Sequence, residues 1–319
     1  MTYHATRTKG VAVIMVLLVL AIVAVTTAAL VKRHQFNQAM ASQVIHLGQA
    51  KAHMQGAEHF AYQLLRQDRQ ANNIDHQGEG WAQTAPPMPV EQGFLNGKII
   101  DLQGKFNLNN LVIGGQAHGP SVAVFKRLLD EHALKPYLSD YLVDWLDTNV
   151  ETPQGTLEDS YYLALKAPYR SANQYLLDVS ELGLVRGFDA DTTALLKPYV
   201  TTLPLHSNKA SKINVNSANA GILTAMSGAI SESKAQQLIT SRTLNYWPSV
   251  AKFVDAAIGQ KNSSNTAQWQ ALSDISTVSS NYFGLNIIAQ FGVATTRIES
   301  TLHRSDNGTV RVISRMYTP

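Results

Sequence analysis

The chain has 319 residues, 45% apolar and 15% charged, which suits one large or two modest folded domains. A net charge of +3 argues against general attraction to nucleic acid. The absence of cysteine excludes disulfide scaffolds, thiol catalysis and cysteine-based zinc sites.

The first feature along the chain is Arg7-Thr8-Lys9-Gly10, followed by an uncharged run from Val11 to Val31. As a helix rising about 1.5 Å per residue this run spans roughly 31 Å, the thickness of a ~30 Å hydrocarbon core. Thr26 and Thr27 are its only polar residues, and a helix can satisfy their hydroxyls on its own backbone. Three readings are open at this point. A cleaved secretory signal would be cut near the small residues Thr26 and Ala28. A permanent single-span anchor would carry Arg7 and Lys9 on one flank and Lys32 and Arg33 on the other, which leaves its orientation unsettled. A prepilin-type leader would be cut after Gly10, making Val11 the mature N-terminus.

Beyond Lys32, Phe36, Met40, Val44, Leu47, Met54, Ala57, Phe60, Ala61, Leu64 and Leu65 recur at spacings of mainly three and four. That is one apolar stripe on a helix, and the simplest reading is a single helix from about Val11 to Asp68. Continuous helical phase through Val31 and Lys32 speaks against a cut at Ala29. A loop is expected from Asn72 to Pro89, then a hairpin turning at Asn96-Gly97 and an alternating segment from Gln103 to Leu111.

Short helices are predicted at Val122–Ala133, Leu138–Leu146, Asp159–Leu165, Leu182–Val185, Thr192–Leu196, Ala218–Met226, Ser231–Arg242 and Ser249–Ile258. Asp191 and the Ser217-Ala218-Asn219 group are the expected caps. Strands resume at Leu285–Gln290, Thr295–His303 and Thr309–Met316, with a turn at Ser305-Asp306-Asn307-Gly308. The economical description is a helical insertion in a domain of one helix and an antiparallel sheet.

Acidic residues concentrate between Asp140 and Asp159. Asp147, Asn149 and Glu151 alternate, and Glu158 follows Asp147 by eleven positions, an offset like that of a calcium loop of the EF-hand type. Thr152 stands where that loop needs glycine and Pro153 follows, so the pattern suggests a generic loop of hard oxygen ligands for Ca²⁺, with a solvated acidic loop as the alternative. No HExxH, Walker or GxGxxG pattern occurs, and an enzyme is not expected. His34, His46, His53 and His59 read as polar helix surface. Ile213 to Arg242 resembles a helix-hairpin-helix module whose hairpin, Ser227-Gly228-Ala229-Ile230, could meet a phosphate. With only Lys234 and Arg242 nearby, it reads as structural, and a membrane-anchored or periplasmic DNA-binding protein is the alternative function.

Taken together, several stretches resemble the K-type minor pseudopilins of the bacterial type II secretion system. They are Lys9-Gly10 with the apolar run, Gly104 to Leu111, Asp144-Trp145-Leu146-Asp147 with Glu151-Thr152-Pro153, Glu158 to Tyr162, Ala167 to Asn173, Asp178 to Leu182, and Ile213 to Asn216. The resemblance implies an α+β fold, with a pilin-like long N-terminal helix packed on an antiparallel sheet and a large all-α insertion of SAM-like or helix-hairpin-helix-like type. The expected divisions are a leader over residues 1–10, a transmembrane half-helix over 11–31, an amphipathic helix and first strands over 32–116, the insertion over 117–275, and closing strands over 276–319.

It also implies a non-enzymatic role at the tip of the pseudopilus, initiating or capping the fibre for protein export across the outer membrane. The I-type and J-type minor pseudopilins, a prepilin peptidase and the inner-membrane secretion platform would be its partners, and nucleic acid would not. The location would be the inner membrane, single-pass, with the head in the periplasm. Structural Ca²⁺ is implied, with Asp147, Asn149, Glu151, Glu158, Asp159 and Asp178 as candidate ligands. Most pilin-like subunits carry a glutamate five residues after the cleavage site, to pair with the amine of the subunit ahead. Met15 stands there in this chain, as fits a subunit with none ahead, because an unpaired buried charge costs desolvation.

Overall fold

The computed structural model describes residues 9–84, 86–90, 93–147, 158–291 and 294–318. It opens with a single helix, α1 (Lys9–Ala71), 63 residues and about 95 Å long. Its buried positions begin only at Ala50 and run through Met54, Glu58, Ala61 and Leu65, at helical spacing. The expected stripe is therefore split. Phe36, Met40, Val44 and Leu47 are exposed, because none of the described residues covers that length of the helix, and Phe60 is exposed on the outward side of the covered length.

After α1 come β1 (Met88–Val90) and β2 (Gly93–Asp101). Asn96-Gly97 is not a turn. β2 passes straight through it, with Asn96 opposite Ile288 and Gly97 opposite Ile287. The segment after β2 also departs from an alternating strand. Two 3₁₀ turns, Leu102–Gly104 and Leu108–Leu111, flank the two-residue β3 (Phe106–Asn107). The short β4 (Val112–Ile113) and β5 (Gln116–Ala117) follow.

The helical block runs through α2 (Gly119–Glu131), α3 (Leu138–Leu146), α4 (Glu158–Leu163) and α5 (Ala190–Leu196), then β6 (Val200–Thr201) and β7 (Ile213–Asn214). It continues with α6 (Ala220–Met226), α7 (Glu232–Leu244), α8 (Val250–Ile258) and α9 (Thr266–Ile275), and ends at β8 (Ser276–Thr277). Asn219 caps α6 as expected, whereas α5 is capped by Asp189, two residues before the expected Asp191. The sequence reading missed α9: its N-cap Asn265 makes no side-chain cap bond, and Leu272 is its one fully buried residue.

The chain then closes the sheet with β9 (Tyr282–Phe291), β10 (Ala294–Arg304) and β11 (Val310–Thr318). The order β1-β2-β9-β10-β11 is antiparallel throughout. β2 and β9 are neighbours, with Asp101 opposite Phe283, so the whole helical block fills what would otherwise be a hairpin loop. The Ser305–Gly308 turn joins β10 to β11, with Gly308 at φ 81°, a conformation glycine adopts without strain.

Two cores result. Leu95, Ile99, Phe283, Leu285, Ile287, Ala289, Phe291, Ile298 and Leu302 face Met54, Ala61 and Leu65 of α1 across the sheet. Each fully buried Leu, Ile, Phe or Met side chain there contributes about 1.5–3 kcal/mol. The second core fills the helical block, around Phe106, Phe125, Leu128, Leu142, Leu223 and Phe253.

Buried asparagines organise the block. Asn109 accepts from the backbone N–H of Leu176 and donates to its carbonyl, so one carboxamide replaces one rung of a strand. Asn107 does the same for Leu203, Asn110 for Ser211 and Asn216 for Trp247. These loops thus satisfy buried backbone groups without sheet partners. Gly104 lies so close to the returning chain that a Cβ would come within 2.8 Å of the Ser217 Cβ.

Candidate functional site

The first candidate surface is the free length of α1. Its most apolar window has a mean hydropathy of 3.0, and it is the one helix among the described residues long and apolar enough to cross a membrane. Met15 is 62% exposed, and the aliphatic side chains around it lie open to the same degree. Phe36, Met40, Val44, Ile45 and Leu47 extend the exposed apolar surface past the length a bilayer would cover. A Cβ on Gly10 would meet nothing within 4 Å, so packing does not require a glycine there. Within a helix, glycine costs about 1 kcal/mol relative to alanine.

The second candidate is the acidic segment. Asp147 is the C-cap of α3 and is buried. Asn149 and Glu151 lie outside the described residues, while Glu158 and Asp159 start α4. The two flanks of the segment are held together: Trp145 of α3 meets Tyr162 of α4 edge to face at 5.1 Å, and Asn173 N–H donates to the Trp145 carbonyl. Asp178 is the N-cap of a 3₁₀ turn over Val179–Leu184, accepting from Ser180 N–H in a capping box with Glu181. Its carboxylate therefore already has a structural task.

Asp144 and Asp147 lie at the C-terminal end of α3, the negative pole of the helix, whereas Asp140 in its first turn is already paired with Lys126 at 2.8 Å. Burial, reinforced by Asp140, pushes the Asp144 carboxyl above its ordinary range. Carboxylate oxygen is the donor type Ca²⁺ takes, and Asp147, Glu158 and Asp159 are residues of that kind.

The carboxylates that visibly converge among the described residues are others, Asp68, Asp75 and Glu79, with ligand atoms within 4.8 Å of one another. Two of them, Asp68 and Asp75, hold a protein cation. The Arg304 guanidinium, fully buried, pairs with Asp68 at 2.7 Å and with Asp75, donates to the Leu65 and Ser280 carbonyls, and lies 4.7 Å above the Phe283 ring. Asp75 in turn accepts from Ser280 N–H. Asn214 donates to the Asp75 carbonyl, to Asp101 and to Ser280 Oγ. This hub joins the end of α1, the sheet and both ends of the insertion. Glu58, also buried, forms a second tie through Arg315 and Ser300. Sequence reasoning missed both, although each carries a signal: Arg304 continues the inward parity of Ile298, Ser300 and Leu302, and Glu58 sits on the inward stripe of α1.

The helix-hairpin-helix-like segment is occupied internally. Arg242 donates to the Val215 carbonyl at 2.6 Å, and burial lowers its pKa to about 10. Arg127 donates to the carbonyls of Ala225 and Met226, just before the hairpin, and the adjoining cleft is lined by Asp130, Glu131 and Glu232. A phosphate would meet negative charge there. On α1, His53 stacks against Phe291 at 5.7 Å, and His59 Nδ1 lies 2.9 Å from the Gln55 carbonyl.

Residues 104–205 match one family model for the type II secretion system (T2SS) protein K, and residues 213–280 match a second of the same description. The chain is 33% identical to type II secretion system protein K of Pseudomonas aeruginosa, over 96% of this chain and 92% of that one. To the protein K of Klebsiella pneumoniae it is 32% identical over 83% and 85% of the two chains, and to that of Pectobacterium carotovorum subsp. carotovorum 30% over 98% and 97%. Among solved structures it is similar to a chain of the GspK-GspI-GspJ complex from the enterotoxigenic Escherichia coli Type 2 Secretion System. The TM-score is 0.72 at 26% identity, covering 85% of this chain and 96% of that one. With the long helix, the antiparallel sheet and the helical insertion all present, this chain belongs to the type II secretion system protein K family and is a minor pseudopilin.

Proposed function

We propose that this minor pseudopilin sits at the tip of the pseudopilus, where it starts or caps the fibre used to export proteins across the outer membrane. The observation that carries this reading is the placement of the insertion. It is bonded to the residues just past the end of α1, through Asn214 to the Asp75 carbonyl and the stacking of Tyr246 on His76 at 4.2 Å. In a fibre of parallel α1 helices, that end is where the head of a subunit ahead would pack, and here a helical domain fills it. The role is one of assembly and needs no catalytic group.

The partners follow from the same layout. The exposed face from Phe36 to Leu47 is the docking length of α1 for the I-type and J-type minor pseudopilins, supported by the related chain's presence in a GspK-GspI-GspJ complex. Gly10 marks the cut by a prepilin peptidase, and Val11 to Val31 holds the chain in the inner membrane beside the secretion platform, with the head in the periplasm. Met15 avoids burying a carboxylate that would find no amine ahead of it. Ca²⁺ would be held by Asp147, Glu158 and Asp159, joined by Asn149, Glu151 or Asp178. It would neutralise the acidic end of α3 and pin the segment that follows.

Two measurements test the assembly reading. Mass spectrometry of the mature chain should give Val11 as its first residue; a start at Met1 or Ala29 defeats it. Because the chain has no cysteine, a Val44→Cys variant gives a clean crosslinking position. It should capture the I-type or J-type subunit in membranes that contain all three, and capture of neither removes the proposed docking face.

A further inference from the structure

A cleft of about 480 Å³ opens between the sheet and the helical insertion, away from both the free face of α1 and the acidic segment. His206, Lys209 and Lys212 line it from the loop between β6 and β7, and His303, Asp306 and Arg311 line it from the β10–β11 hairpin. Three permanent cations and two histidines thus face a single carboxylate. Asp306 is already engaged, accepting from Asn281 Nδ2 at 3.2 Å. The ion pairs among the described residues include none from Lys209, Lys212 or Arg311. All three side chains are exposed, so their charges are open to a solute entering the cleft.

The cationic walls are held in place. Tyr282 packs on His303 with ring centroids 4.9 Å apart and donates its hydroxyl to the Pro204 carbonyl, bridging the two sides. Ser207 and Asn208 both take φ near 52°, a conformation uncommon outside glycine, immediately before Lys209. Burial, Arg311 and His206 disfavour the proton on His303, against the opposite pull of Asp306. The like charges that disfavour that proton would attract an anion.

We propose that this cleft binds an oxyanion, a carboxylate or phosphate group that accepts hydrogen bonds from both of its walls at once. A membrane headgroup is out of reach. The turn bearing Asp306 packs against Arg66 and Arg69 of α1, about 50 Å along the helix from Val31. The group therefore belongs either to a free anion or to an acidic protein segment.

Thermal melts of the full chain in non-ionic detergent test this, using inorganic phosphate, hexaglutamate peptide and chloride at matched ionic strength. Phosphate or hexaglutamate should raise Tm saturably, and more strongly as pH falls and His303 gains its proton. The exposed pair Lys209→Gln/Arg311→Gln should weaken that binding about tenfold or more, as expected for charge-assisted contacts, while Lys98→Gln on the sheet surface should leave it unchanged. A shift with phosphate identifies a free anion as sufficient. A shift with hexaglutamate alone assigns the site to an acidic segment. No saturable shift with either probe, or one equally large in the double variant, overturns the proposal, since phosphate also stabilises proteins generally by exclusion from their surface.

Discussion

Replacing Arg304 with methionine tests the buried hub directly. Methionine keeps an apolar side chain over Phe283 but removes the guanidinium bonds to Leu65, Asp68, Asp75 and Ser280. Asp75, 1% exposed, would lose the guanidinium bonded to its carboxylate. Losing one partner of a buried pair costs about 3–5 kcal/mol. At roughly 2–4 °C per kcal/mol for a domain of this size, Tm should fall by about 6–20 °C. Circular-dichroism melts of the full chain in detergent read this out. The double variant Arg304→Met/Asp75→Asn should recover at least half of the loss, because the stranded charge is then gone. A loss below about 1 kcal/mol, or a double variant as costly as the two singles summed, would show that the hub is not an electrostatic unit.

Three further outcomes are expected. Burial, against the Arg304 hydrogen bond and aided by Glu79 and Asp75, raises the Asp68 pKa from 3.8 to about 7. The native state thus holds that proton more tightly than the unfolded chain does. The resulting stability is full below pH 3.8 and is lost as pH rises through about 7, so urea melts across that window should show a decline that Asp68→Asn flattens. Asn109→Ala strips the partners from both backbone groups of Leu176, and at about 1–3 kcal/mol for each buried unsatisfied group should destabilise the helical block by several kcal/mol in the same melts. If the acidic segment holds Ca²⁺, chelation should lower Tm by the linkage of a native-state ligand and Asp147→Ala should remove the response; a melting curve unmoved by chelator ends the calcium proposal.

How much of this could be read from residues alone depends on the range of the interaction. The Asn219 cap and the Ser305–Gly308 turn are local, and their residue types announced them. Asn96-Gly97 carries the same kind of local signal, but strand pairing to Ile288 and Ile287 overrides it. The stripe from Phe36 to Leu47 was legible as a face, yet periodicity cannot say whether the partner lies in the same chain. Arg304 and Glu58 break the rule that charges face water, and only their parity with inward neighbours marks them. The carboxamide rungs at Asn107, Asn109, Asn110 and Asn216 depend on loops between 31 and 101 residues away, a proximity no local pattern encodes.

The two buried ion clusters also bear on how the head can serve a fibre. An insertion hung on a sheet by two loose strands would swing about its entry and exit, and its position would carry no information to the helix below. Here the exit at Asp101 and Gln103 and the return at Ser280 and Asn281 are bonded to each other and to Asn214 and Lys212 within the insertion. Arg304 then ties the return directly to Asp68 near the end of α1, and Glu58 ties the helix to β10 and β11 ten residues lower. Rotation of the insertion relative to α1 would have to break charge-assisted bonds in a dry interior, where they are strongest. A load applied along α1 therefore reaches the helical domain through fixed side-chain contacts rather than through the chain connection alone.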